Sequence, residues 1–399
     1  NASKFAWDNI ALGSFALANL NAGEWGNIGI GWKSQHSLED GRMNIAVGAR
    51  AMGNSKEGDS NVAIGNASMF NANQLDYNTA VGFQSLRDMN MNAETNGTAT
   101  MTHIDGFDYQ SGKGNTALGA WSMRRATGGS DNTAIGDSSL IQLENGIQNV
   151  AVGAAALKWT KQTSYNVAIG VQAMENLSGT ATYTDNNNVV QFLNSSGNTA
   201  IGTRAMQNAN YGSHNVAIGD NALLSNSASY NVAVGSFSMA KNNTGDSNVA
   251  VGTDALHENI DGNQNVAIGK EALSANLVSS NIGIGFKSLT ATVSGSHNVS
   301  IGEESMLSNV SGFKNVAIGA SSMRSANGSN YQNTSVGHDS SQFMNGNNNT
   351  SVGVGSGVNI DDPNNTSNNN TFLGKMTGAV DGTAALQNST AIGSDAQVS

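Results

Sequence analysis

The sequence contains no cysteine, a single proline and few charged residues. Its 399 residues include no Cys and one Pro, and charged side chains make up 12% of the chain. Without cysteine the protein can form neither disulfides nor thiolate metal sites, and it has no thiol nucleophile. Because so few charges accompany strictly spaced apolar residues, we expect a folded chain rich in tight turns rather than a disordered one.

Long apolar runs and excess positive charge are also missing. The formal net charge is −11, which disfavours nucleic acids and anionic membrane surfaces as partners. No apolar run reaches the roughly 18–20 residues that a membrane-spanning helix needs. The opening residues, NASKFAWDNI, do not have the pattern of a signal peptide. We therefore expect no nucleic-acid partner and no membrane insertion.

One five-residue pattern recurs along nearly the whole chain. It reads Asn, any residue, a small residue, an aliphatic residue and Gly, except that one copy has Phe372 at the small position. Most copies follow one another at 16–18 residues, a period typical of stacked-coil repeats. A variant copy begins at Ser389. The twenty full copies begin at Asn9, Asn27, Asn44, Asn61, Asn78, Asn115, Asn132, Asn149, Asn166, Asn198, Asn215, Asn231, Asn248, Asn265, Asn281, Asn298, Asn315, Asn333, Asn349 and Asn370.

Each position of the repeat has a physical interpretation. The residue after Asn and the aliphatic residue before Gly share one face of a strand, because strand side chains alternate. The invariant Gly implies a positive φ or the close approach of another segment. Ala or Ser and then Leu or Met follow the Gly, as at Ala255 and Leu256, and predict a second short strand. We expect an all-β parallel β-roll or β-solenoid of ~17-residue, two-strand coils, with Asn stacked on Asn at ~4.8 Å per coil.

The small side chains between the two aliphatic positions predict the assembly. A thin two-strand coil would leave this alanine-rich face flat and apolar, and such a face is unfavourable in water. Packing the alanine faces of identical chains about a three-fold axis would cover them. We therefore predict a homotrimer, with its chains either intertwined or side by side.

Copies such as NVAIG, NTAIG and NTALG, followed by Ala-Leu or Ala-Met, resemble the repeats of trimeric adhesin head domains. The resemblance covers about 9–393 and implies left-handed parallel β-rolls assembled as trimers. The coils here are longer than those usual in autotransporter adhesins, and in this respect they resemble bacteriophage tail fibres more closely. The last residues, NSTAIGSDAQVS, resemble the mature end left by a self-cleaving intramolecular chaperone that cuts after Ser. No heptad stalk pattern is present.

Two long departures from the period are candidate receptor-binding insertions. Aromatic rings beside carboxylates and amides suit carbohydrate, although each insertion could equally be a hairpin with a small aromatic core of its own. The candidate residues are His103, Asp105, Phe107, Asp108 and Tyr109 in the first insertion and Tyr183, Asp185 and Phe192 in the second. The predicted organisation is shaft at 1–86, insertion at 87–114, shaft at 115–174, insertion at 175–197, shaft at 198–337 and irregular C-terminal coils or tip at 338–399.

Two weaker signals lie outside the insertions. Asp361 and Asp362 beside the single Pro363 offer oxygen ligands that suit Ca²⁺, but a solvated turn fits them as well. We otherwise expect no cofactor. The tryptophans at Trp25, Trp32, Trp121 and Trp159 fall in or beside turns, so some should face outward, either to bind a ligand or to cover gaps between subunits.

No pattern of residues predicts catalysis. The six His are dispersed, and no metalloprotease, nucleophile-elbow or P-loop motif occurs. We expect the structural and receptor-binding part of a phage tail fibre, located in the virion. Its partners would be a bacterial surface glycan or outer-membrane receptor, and other tail proteins at its N-terminal end. The alternatives are the head of a trimeric autotransporter adhesin on the bacterial surface, and a glycan-degrading tail spike with a site between subunits.

Overall fold

The computed structural model describes residues 7–89, 112–144, 146–177, 195–325, 330–343, 345–357, 367–380 and 386–399, and the backbone of two further strands at 181–184 and 190–193. The chain divides into two compact units, residues 1–213 and residues 214–399. Over the described residues the regular elements are all β-strands, joined by turns.

Most strands are three residues long and follow the repeat. The first unit contains β1 (Ile10–Leu12), β2 (Ile28–Ile30), β3 (Ile45–Val47), β4 (Val62–Ile64), β5 (Thr79–Val81), β6 (Thr116–Leu118), β7 (Thr133–Ile135), β8 (Val150–Val152), β9 (Val167–Ile169), β10 (Ala181–Thr184), β11 (Val190–Leu193) and β12 (Thr199–Ile201). The second contains β13 (Val216–Ile218), β14 (Val232–Val234), β15 (Val249–Val251), β16 (Val266–Ile268), β17 (Ile282–Ile284), β18 (Val299–Ile301), β19 (Val316–Ile318), β20 (Thr334–Val336), β21 (Thr350–Val352), β22 (Thr371–Leu373), β23 (Gly378–Ala379), β24 (Thr390–Ile392) and β25 (Gln397–Val398).

Each unit is a parallel β-solenoid, as the repeat predicts. The strand of one coil pairs in parallel with the equivalent strand of the next, so that identical repeat positions stack, as Ala233 does on Ala250. The long departures do not disturb this register, because β5 pairs directly with β6 and β9 directly with β12. An insertion can therefore leave the solenoid between two coils without shifting the residues that face its interior.

The stacked asparagines form a buried hydrogen-bonded ladder. Asn248 is fully buried, and its backbone N–H and side-chain amide both donate to the Oδ1 of Asn231, at 2.9 and 3.2 Å. The same amide donates to the carbonyl of Gly262 at 2.8 Å and so closes the turn of its own coil. Asn meets these requirements because one side chain supplies both a donor and an acceptor.

The glycine that ends each strand is required for two reasons. Gly252 has φ +137°, and a Cβ at this position would lie 2.5 Å from the carbonyl oxygen of Gly269 in the next coil. A positive φ and a close approach were the two requirements predicted for this glycine, and both apply.

The segment after the glycine differs from the predicted second strand. Asp254 and Leu256 have φ of 55° and 51°, in the left-handed region, so the backbone alternates instead of extending. It still joins the coils, because Asp254 N–H donates to Ser236 of the preceding coil and Leu256 N–H to Ala272 of the next. In the part of the chain that the structure describes, a second strand per coil occurs only in β23 and β25, which pair in parallel.

The prediction that the alanine face packs against other chains is wrong. Ala250 and Ala267 are fully buried within their own unit, where they share the interior with Leu256 and Leu273. Small residues are needed there because the coil is thin and the Leu or Met after the glycine already fills it. Phe372 fits this account, because its coil has Gly378 where most coils have Leu or Met.

Replacing one ladder asparagine should destabilise the solenoid. Asn61→Ala removes the Oδ1 that accepts the Asn78 N–H at 3.0 Å and the amide that donates to the buried Leu75 carbonyl. Leaving such groups unpaired should lower the free energy of unfolding by about 3 kcal/mol, measurable by chemical denaturation. Asn66→Ala changes an exposed Asn of the same coil and should have little effect. Equal losses in both variants would contradict the ladder.

Glycine substitutions should separate steric overlap from backbone strain. Gly252→Ala introduces both, whereas Gly393→Ala adds a Cβ with no atom within 4 Å at φ +118°. Strain alone costs roughly 1–3 kcal/mol, so we expect Gly393→Ala to be tolerated and Gly252→Ala to lower the thermal midpoint far more. Similar midpoints for the two variants would show that the overlap with the Gly269 carbonyl oxygen adds no measurable destabilisation.

Candidate functional surface

The predicted binding residues of the first insertion, His103, Asp105, Phe107, Asp108 and Tyr109, lie outside the described residues. Asp361 and Asp362, the candidate Ca²⁺ ligands, also lie outside them. The prediction that these residues bind a ligand or an ion therefore remains a prediction. No group of three or more metal-ligating side chains occurs among the residues that are described.

The second insertion contains an antiparallel hairpin formed by β10 and β11. Its register places Tyr183 opposite Gln191 and Phe192 opposite Thr182, so the two candidate aromatic residues are not cross-strand partners. Asp185 lies outside the described residues. The hairpin leaves the solenoid between β9 and β12, which pair with each other, and so it is an addition to the stack of coils rather than part of it.

The outward face of the parallel strands is an apolar surface that the sequence analysis did not identify. The residue before each glycine of the described coils points away from the interior, and on many coils its side chain stays more than one-third exposed although its neighbours stack above and below it. We call this surface the strand face. Its exposed members include Ile64, Leu118, Ile169 and Ile201 in the first unit and Ile218, Val251, Ile268, Ile318 and Val352 in the second.

The signal for this face was present in the sequence. The residue after each Asn is Val, Ile or Thr, and the residue before each Gly is Val, Ile or Leu. Alternation shows that these two positions share a face, but it does not show which face is inside. Exposed apolar patches of more than a few hundred Å² mark interaction sites in soluble proteins, so this repeated apolar face is the strongest candidate for a protein–protein contact.

Aromatic side chains lie along the turns on either side of the strand face. All five Trp are exposed, from 39% at Trp121 to 65% at Trp7, which confirms that tryptophans face outward. Several rings from successive coils contact each other: His214 stacks on Tyr230 with centroids 5.3 Å apart, and Phe313 stacks on Tyr331 at the same distance. Rings stacked in this way cover part of each other's faces, which reduces the area open to a ligand.

A polar groove in the first unit has a volume of about 550 Å³. It is lined by Glu24, Asp40, Arg42, Glu57, Asp59 and Asp76, among others. Its carboxylates already have partners: Arg42 Nε lies 3.3 Å from Glu24 Oε2, and Asp59 Oδ1 accepts the Arg42 backbone N–H at 2.8 Å. The groove nevertheless stays acidic, because its lining has more carboxylates than cations.

Ion pairs join neighbouring coils on the segment after the glycine in both units, as Lys158 Nζ does with Glu175 Oε1 at 3.9 Å in the first. In the second unit, Lys241 Nζ donates to both carboxylate oxygens of Glu258 at 2.7 Å, across neighbouring coils. This hydrogen bond, together with the nearby charges of Lys241 and His257, holds the pKa of Glu258 below its ordinary value. Salt bridges between coils thus neutralise this surface in the second unit.

No family model matches the sequence, and no curated protein matches it either. Among the residues that the structure describes, no helix has the length and apolarity needed to cross a membrane. The function is therefore inferred from the fold and its exposed surfaces.

The Glu258 contact predicts a pH dependence. A carboxyl whose pKa is lowered by folding stabilises the fold above its unfolded pKa, and this contribution is lost as the pH falls through the folded pKa. Lys241→Gln should therefore lower the thermal midpoint slightly at pH 7 and much less at about pH 2, where carboxyl groups are largely protonated. Lys56→Gln, which removes a looser 3.8 Å pair with Glu39, is the control. An equal decrease at both pH values would contradict this assignment.

Proposed function

We propose that this chain is the structural and receptor-binding part of a homotrimeric bacteriophage tail fibre that attaches the virion to a bacterial surface polysaccharide. The observation that carries the proposal is the strand face, a row of outward aliphatic residues on successive coils of each unit, many of them more than one-third exposed. The packing of the interior makes these residues point outward, but it does not require them to be apolar. A partner that runs along the coils provides a reason for apolar residues on this face.

Identical chains are the partner that fits this face best. Two or three copies in the same orientation would align coil with coil, because every copy has the same spacing and the same residues. Fully burying an aliphatic side chain contributes roughly 1.5–3 kcal/mol. The strand-face residues are already partly covered, so each would contribute a fraction of that value, and a row repeated over many coils would hold an assembly together. The resemblance to trimeric adhesin and tail-fibre repeats favours three copies.

The proposed attachment role is supported by the length of the repeat and by the hairpin inserted between two of its coils. The ~17-residue coils favour a tail fibre over an autotransporter head, and the hairpin at 181–193 is added without disturbing the strand register. A rigid multivalent carrier suits surface polysaccharides, where several weak contacts act together through a high effective concentration. The adhesin head and the glycan-degrading spike stay as alternatives.

Charges introduced on the strand face should dissociate the assembly. Val251→Lys/Ile268→Lys places two cations on neighbouring coils of this face, and Ser225→Lys places one on an exposed turn as control. We expect sedimentation equilibrium to give three chain masses for the wild type and the control, and one for the double variant. A monomeric wild type would contradict the proposed assembly.

Binding to bacteria tests the receptor class. The labelled trimer should bind cells of a susceptible strain, and periodate oxidation of the cell surface should abolish binding because it cleaves the diols of sugars. Protease treatment of the cells should not. Binding that is lost with protease and kept after periodate would exclude a polysaccharide receptor. Selective binding to animal matrix proteins would favour the adhesin, and release of reducing ends from the polysaccharide would favour the spike.

A further inference from the structure

One surface of the first unit keeps positive charge without a carboxylate partner. Phe15, Lys33 and Arg50 occupy the same position, two residues after the glycine, on three successive coils. Together with Trp32 they form what we call the basic aromatic patch. Lys33 Nζ lies 5.2 Å from the centre of the Trp32 ring, and the Arg50 guanidinium carbon lies 4.8 Å from it.

The patch is electrostatically unbalanced. Within the described ranges, no carboxylate lies within ion-pair distance of Lys33 or Arg50, although the whole chain has a net charge of −11. Like charges on neighbouring strands repel and destabilise the stack. The Trp32 ring offsets part of this repulsion through cation–π contacts, which contribute most when the cation lies over the ring within about 6 Å.

On the equivalent surface of the second unit, the cation at this position is paired with a carboxylate. Lys287 occupies the same repeat position as Lys33, and it also lies next to an aromatic residue, with its Nζ 5.2 Å from the Phe286 ring centre. However, Lys287 pairs with Glu271 at 3.6 Å, and Glu304 occupies the same position on the next coil. The same scaffold position is therefore neutralised in one unit and left cationic in the other.

We propose that the basic aromatic patch binds an anionic polysaccharide, with Lys33 and Arg50 pairing with carboxylate or phosphate groups of the sugar chain. The indole holds both cations in place, so little side-chain freedom is lost when they bind. The Phe15 ring is 62% exposed and lies 6.0 Å from Lys33 Nζ. It offers an apolar surface for the face of a sugar ring next to the bound anion.

A sugar ligand fits this patch better than a nucleic acid does. Nucleic-acid binding depends on many phosphate contacts made by an extended positive surface, whereas this patch supplies two full cations on an acidic chain. An anionic sugar needs only one or two charge-assisted hydrogen bonds together with an apolar contact. The inference rests on the proposed receptor-binding function and names the chemical class of its ligand.

The test measures binding of the whole chain to three immobilised polymers by biolayer interferometry. The polymers are polygalacturonate, which is anionic, dextran, which is neutral, and double-stranded DNA. We expect the wild type to bind polygalacturonate, with binding that weakens as salt is added, and not to bind dextran. Lys33→Gln/Arg50→Gln should reduce the affinity roughly tenfold or more, because charge-assisted hydrogen bonds are lost. Lys287→Gln is the matched control and should bind as the wild type does.

Several results would overturn the assignment: equal binding by the double variant, an equal loss in Lys287→Gln, or tighter binding to DNA than to polygalacturonate through the same residues. Circular dichroism should show that both variants fold, since the substituted side chains lie outside the buried core. Binding to whole bacteria separates the two proposals. If the double variant still binds cells fully, this site is rejected and the attachment function stands. If the wild type binds polygalacturonate but no bacterial strain, the site stands and the attachment function is rejected.

Discussion

The hydrogen-bonded asparagine ladder is the interaction on which the rest of each unit depends. Asn265 N–H donates to Asn248 Oδ1 at 2.9 Å, and Asn248 donates in turn to Asn231. Because these bonds join identical positions, they fix the register of each coil on the next. A slip of one residue would bury the outward side chains and expose the small ones. The carbonyl that closes each turn is bound by the same amide, so coil closure and coil stacking depend on one side chain.

This ladder explains why the other positions are so restricted. Once Asn and Gly set the distance between coils, the thin interior beside the strand is filled by the Leu or Met after the glycine, and some coils bury one further large side chain near the next turn, such as Leu75 or Leu143. The strand can then contribute only Ala, Gly or Ser to the interior, and its larger residues must point outward. A thin core thus explains why these side chains point outward but not why they are apolar, and the proposed association of chains would cover them.

The sequence was sufficient to predict the solenoid, its period, the stacked asparagines and the need for glycine, because each follows from repetition. Two features could not be predicted from the sequence. Alternation at Ala250 and Val251 shows two faces but does not say which is buried, since the volume of the interior depends on the distant Leu256. The left-handed conformation of Leu256 is unfavourable for an isolated apolar residue. It accompanies the alternating backbone that lets Asp254 N–H donate to the preceding coil and Leu256 N–H to the next, and these hydrogen bonds become visible only when the coils are stacked.

Outward positions of the turns are the one place where this scaffold imposes no residue type. The position two residues after the glycine holds Phe15, Lys33 and Arg50 on three coils of the first unit, and Glu271, Lys287 and Glu304 on three coils of the second. All six share the left-handed backbone, so the fold does not select among them. Because the fold does not select the residue type here, residues of opposite charge can pair across coils, and in the second unit Lys287 pairs with Glu271. In the described part of the chain, the cations around Trp32 have no such carboxylate partners, and their mutual repulsion is unfavourable. An anionic partner would remove this repulsion.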